Sequence, residues 1–166
     1  MPQEPIKLGY KAWVHANDNG FVSECQIYTG KIGQAAKKNL GARVIYDLTK
    51  DLEEKQHYVY FDSYFTHMAF VKVLKDKGIH VSGTEERERV GMPKKFVSVR
   101  HMRRGNSDDR STNSAIMATL WNSRKGILFL SSSHDLTNVS SVTRKKRDGT
   151  SEDLCTKLTY CNIYIK

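Results

Sequence analysis

The chain has 166 residues, 39% hydrophobic and 27% charged, a composition that suits one folded domain with a real core and excludes a disordered chain. No apolar run approaches the roughly 20 residues needed to span a bilayer, and the opening Met-Pro-Gln-Glu-Pro has no apolar signal-peptide core, so neither a membrane nor secretion is expected. Lys and Arg number 27 against 18 Asp and Glu, a formal charge of +9, which points to DNA or RNA as a partner before acidic proteins or membrane.

Tyr10 to Ala16 alternates Tyr10, Ala12, Val14 and Ala16 on one face with Trp13 opposite, as a strand does. Asn17-Asp-Asn-Gly20 is a turn signal and Phe21 to Tyr28 reads as the returning strand, so the first unit is a β-hairpin. Val44, Ile45, Leu48 and Leu52 recur at helical spacing and predict a helix over 41–54. Tyr58 to Phe61 are β-formers, Ser63 to Lys77 reads as a helix stopped by Gly78, and 79–82 is a short strand. The order ββαβαβ fits a mixed sheet covered by helices. Beyond Gly83 the chain is richer in strands and turns. Pro93-Lys94-Lys95 begins a loop, and strands are expected at 96–99, 115–121 and 127–130, with Asp108 and Asp109 in a polar loop.

Several motifs carry nothing. Gly30-Lys31 is followed by Ile32, not by the Ser or Thr of a phosphate loop. Cys25, Cys155 and Cys161 are odd in number without a CxxC pair, so free thiols are expected in a reducing compartment. Asn138-Val-Ser140 is a chance sequon in the absence of a secretory signal. Arg144-Lys145-Lys146-Arg147, followed by Asp148-Gly149, reads as a basic turn, either a solvated loop or a nuclear-import or DNA-contacting patch.

Asp62 stands out because an aromatic strand delivers it just before a helix. Such a carboxylate either caps the helix, accepting an orphan backbone N–H, or serves as a metal ligand. The local pattern leaves both open.

Longer stretches narrow the choice. Lys7-Leu-Gly-Tyr-Lys-Ala-Trp13, Gln26-Ile-Tyr-Thr-Gly-Lys31 and Val59-Tyr-Phe-Asp62-Ser-Tyr-Phe-Thr66 resemble, in order and spacing, the core of piggyBac-type transposases. Gly83-Thr84, Arg89 and Gly91-Met-Pro93 resemble that family's GT…R…P segment, and Arg104-Gly105, Trp121 and Leu128-Phe-Leu-Ser131 fit its next landmarks. The resemblance implies an α/β, RNase H-like mixed sheet with flanking helices and a β-rich insertion, and a nuclear or otherwise cytoplasmic location. It also implies DDE chemistry, in which three aspartates hold Mg²⁺ or Mn²⁺ for DNA strand cleavage and joining.

Asp62 matches the second catalytic aspartate. The strand bearing the first is expected to be absent and the chain stops before the third, so the expected sheet is incomplete, with unpaired edges and marginal stability as a monomer. Asp18, Asp108 and Asp109 are better explained as turn residues than as replacements. Ser63 replaces a customary Asn, Glu86 stands near a customary Arg, and no counterpart of the family's cysteine-rich zinc domain is expected in these 166 residues.

The expected division is a partial RNase H-like core over 1–84, and a β-rich insertion with the start of the returning core over 85–166. The expected protein is a catalytically incompetent fragment that binds no metal tightly. Residual DNA binding falls to Lys94, Lys95, Arg100, Arg103, Arg104, Arg144, Lys145, Lys146 and Arg147. Its expected partners are DNA, a second copy of the chain or a full-length transposase. The alternative is an active metal-dependent transposase or nuclease completed by aspartates from flanking sequence or another chain.

Overall fold

The computed structural model describes residues 10–29, 40–123, 125–133 and 140–156. The chain divides into two compact units, Met1–Leu52 and Glu53–Lys166. In the first, β1 (Ala12–Ala16) and β2 (Val22–Ile27) form the expected antiparallel hairpin, Trp13 opposite Gln26, with a register shift between His15 and Ala16. The single indole, not the Tyr10–Val14 face, turns inward: Trp13 is buried while Tyr10 and Val14 are exposed. Helix α1 (Leu40–Thr49) buries Val44 and Ile45, then tightens to a 3-10 turn over Lys50–Leu52. Thr49 Oγ1 donates to the Ile45 carbonyl at that transition (2.7 Å), a local bond that competes with the helical ladder. Gln26 Nε2 donates to Asp47 Oδ2 (3.1 Å), tying the hairpin to α1.

The second unit is built on a five-stranded mixed sheet in the order β3-β4-β7-β6-β5. β3 (Tyr58–Phe61) and β4 (His80–Glu85) are parallel, joined through α2 (Met68–Asp76), while β7 (Gly126–Ser131), β6 (Met117–Asn122) and β5 (Ser107–Ser111) add antiparallel. Ala118 to Trp121 on β6 and Leu128 to Leu130 on β7 are buried without alternation, which marks central strands covered on both faces. Val71 and Leu74 of α2 join that core. A final hairpin pairs β8 (Ser140–Lys145) with β9 (Ser151–Thr156). The sheet runs through residues 84 and 85, so the expected division there cuts one sheet, while the compact units part at 52 and 53.

The mixed α/β class stands, with corrections in detail. Helix α2 begins at Met68, not Ser63, because residues 62–67 form a separate turn. No strand occupies 96–99. The Val97 N–H goes to the Asp108 carboxylate (2.7 Å) instead of a ladder, and 99–101 winds into a 3-10 turn. Asp108 and Asp109 lie on edge strand β5, not in a loop. Charges suit an edge, where they discourage pairing with another chain. Arg144 and Lys145 end β8, and only Lys146 and Arg147 lie in the turn. Asn138 of the sequon, Lys31 and Cys161 lie outside the described residues, whereas Cys25 is free and exposed.

Candidate functional site

Asp62 follows the last residue of β3 and is exposed. Its Oδ1 accepts the Tyr64 N–H (3.0 Å), closing an Asx turn, and its carbonyl accepts the N–H groups of Phe65 (3.2 Å) and Thr66 (3.1 Å) and the Thr66 hydroxyl (2.8 Å). The capping expectation is half right: the carboxylate takes a backbone N–H two residues on, but the motif it caps is a turn. Among the described residues no hydrogen bond occupies Oδ2, which leaves one carboxylate oxygen for an outside ligand.

Residues that sequence reasoning treated only as landmarks build this turn. Gly83 of β4 lies so close that a Cβ there would collide with Thr66 Oγ1 and stand 2.6 Å from the Phe61 carbonyl oxygen. Arg89 Nη1 donates to the carbonyls of Ser63 (2.8 Å) and Thr66 (2.9 Å) and lies 3.3 Å from His67 Nε2. Its Nε pairs with Glu85 (3.1 Å) and its Nη2 with Glu86 (3.5 Å). Glu85 is buried and also accepts the Glu86 N–H (2.8 Å). Burial pushes its carboxyl above the usual range, against the opposing pull of that N–H and of Arg89. Burial, then the nearby guanidinium, lowers the pKa of His67. The available sequence signal was the Glu85/Arg89 spacing of four residues beside a glycine.

Asp62 fits one position around a hard divalent cation, which takes about six oxygens. Among the described residues no three His, Cys, Asp or Glu side chains gather as a ligand set. Asp108 is committed elsewhere, accepting both Arg110 Nη1 (2.5 Å) and Nη2 (2.9 Å). Burial raises its pKa, but the Val97 N–H and the Arg110 guanidinium outweigh that and hold it below the usual carboxylate range. Asp18 lies exposed in the β1–β2 turn.

The basic residues separate into two kinds. Lys94, Lys95, Arg100 and Arg103 are exposed along the irregular stretch before β5, as are Lys145, Lys146 and Arg147 at the tip of the β8–β9 hairpin. Arg104 is different: it is half-buried, donates Nε to the Ser123 carbonyl (3.1 Å) and forms an ion pair with Glu152 of β9. It braces the hairpin.

The DDE transposase family model described as Transposase IS4 matches residues 1–162. The human PiggyBac transposable element-derived protein 3 is 26% identical over 152 residues, which cover 86% of this chain and 26% of that protein. Human PiggyBac transposable element-derived protein 2 is 24% identical over 86 residues, covering 49% of this chain and 14% of that protein. The chain thus spans about a quarter or less of the length of these curated relatives. Among solved structures, a piggyBac transposase in a synaptic complex with hairpin DNA superposes with a TM-score of 0.67 at 18% identity, covering 90% of this chain and 31% of that one. That likeness gives the RNase H-like fold. With the family match over nearly its whole length, the chain belongs to the DDE transposases and is a domain derived from the piggyBac type.

Proposed function

We propose that this domain associates with DNA through its exposed cations and presents Asp62 as a single metal-ligating carboxylate, without performing strand transfer by the described residues alone. The placement of Asp62 carries the reading: the turn at the end of β3 holds one oxygen of an exposed carboxylate, and no hydrogen bond from the described residues takes the other. A lone carboxylate offers at most two of about six oxygens, so a divalent ion there keeps most of its water and binds weakly. Strand transfer needs two ions held by converging carboxylates, and the described residues bring no such set together. The relative solved with hairpin DNA supports DNA as the partner, and the net charge of +9 supports a polyanion in general.

Mn²⁺ titration followed by NMR tests the ligand assignment. Paramagnetic broadening is expected to centre on the amides of Asp62 to Phe65 and to vanish in Asp62→Asn. Broadening that is absent, or unchanged in the variant, removes Asp62 from metal binding.

A further inference from the structure

We propose that Arg89 is a positioning residue for Asp62: a carbonyl clamp that fixes the turn carrying the carboxylate, not one of the cations that meet DNA. The proposal rests on the reading of Asp62 as the functional carboxylate. Its physical basis is how the guanidinium is spent. Nη1 bridges the Ser63 and Thr66 carbonyls, which bracket the turn, while Nε is held by buried Glu85 and Nη2 faces Glu86. Three nitrogens in a rigid fork thus meet four oxygens in different directions, which a planar guanidinium can do and a point-like ammonium cannot.

The clamp acts on Asp62 through Thr66. This buried residue gives its carbonyl to Arg89 and returns its N–H and hydroxyl to the Asp62 carbonyl. Gly83 completes the arrangement by leaving the space into which the Thr66 hydroxyl fits. The segment Gly83-Thr84-Glu85 with Arg89 is therefore a support built under Asp62 from the neighbouring strand. Arg89 is also mostly covered, its side chain 19% exposed, whereas Lys94, Lys95, Arg100 and Arg103 are exposed.

Arg89→Lys separates this role from the two others an arginine here could have. It keeps a positive charge for a phosphate but loses the fork. In the full 166-residue chain, hydrogen exchange at the Phe65 and Thr66 amides is expected to accelerate about tenfold or more, with exchange at core amides such as Leu120 and Phe129 unchanged. A merely structural role would accelerate the core amides too. The dependence of DNA affinity on salt is expected to stay at the wild-type slope, because no phosphate contact is removed. Unchanged exchange at Phe65 and Thr66 in Arg89→Lys would overturn the clamp. A shallower salt slope in Arg89→Ala that is restored in Arg89→Lys would overturn it in favour of phosphate contact. Wild-type Mn²⁺ broadening separates the two readings. If it is absent while Arg89→Lys frees the two amides, the metal assignment fails and the clamp stands.

Discussion

The Asp62 turn and the basic stretch from Lys94 to Arg103 differ in what holds their side chains. At Asp62, backbone N–H groups and a threonine hydroxyl of its own turn hold the residue, a guanidinium from the loop after β4 bonds the turn's carbonyls, and a glycine of β4 makes room for the threonine. The lysines and arginines carry charge at the surface, anchored mainly through their backbone: the Lys95 carbonyl accepts from Arg110, and the Val97 N–H goes to Asp108. A metal ligand needs fixed geometry, whereas a phosphate contact needs only reach and charge. Arg104 shows that a basic residue in such a stretch can be structural, since its ion pair with Glu152 spends it on the β8–β9 hairpin.

That contrast can be broken most severely at Gly83. Gly83→Val drives a side chain into Thr66 and the Phe61 carbonyl, at an expected cost of about 3 kcal/mol, the upper end for overpacking, measured by chemical denaturation. A loss below about 0.5 kcal/mol would show that the turn has slack. On the other side, Asp108→Asn releases the anchor of the basic stretch and is expected to cost about 1 kcal/mol near neutral pH, since its arginine partner is partly exposed. Because folding lowers the Asp108 pKa, its contribution is present above the ordinary value of 3.8 and is lost as pH falls through the folded one. The wild-type and variant curves should therefore converge in acid.

A smaller effect concerns His67 at the clamp. Its pKa is lowered by burial and then by Arg89, so the unfolded chain binds the proton more readily, and stability should fall as pH drops below about 6.5 toward the folded value. His67→Gln is expected to flatten that part of the stability-against-pH curve. A slope unchanged by the substitution would place the titration elsewhere. Lys94→Ala with Lys95→Ala should leave stability within about 0.5 kcal/mol, as for exposed sites without specific contacts, and change only DNA affinity.

The parts of this architecture legible in the sequence were those with a local signature. Asn17 to Gly20 announced the hairpin, Gly78 with its positive φ ended α2 as expected, and the continuous apolar run Ile127 to Leu130 read as a strand. Edge strand β5 was missed because Ser-Asp-Asp-Arg-Ser has no apolar face to betray it. The start of α2 was misplaced because Ser63 and Thr66 look like helix starters, while their backbone is committed to Arg89, 26 and 23 residues away along the chain. Asp62 itself was singled out by resemblance as a candidate. Its support was not, because Gly83, Glu85 and Arg89 meet the turn only through the pairing of β3 with β4.

DNA affinity as a function of KCl tests the central claim most directly, using duplex DNA and the full chain. A slope of log K against log salt of roughly −4 is expected, made shallower by nearly 2 in the Lys94→Ala, Lys95→Ala double variant and unchanged in Arg89→Lys. A slope shallower than about −1 in the wild type would contradict it, leaving a transposase-derived fold whose charge has no DNA to meet.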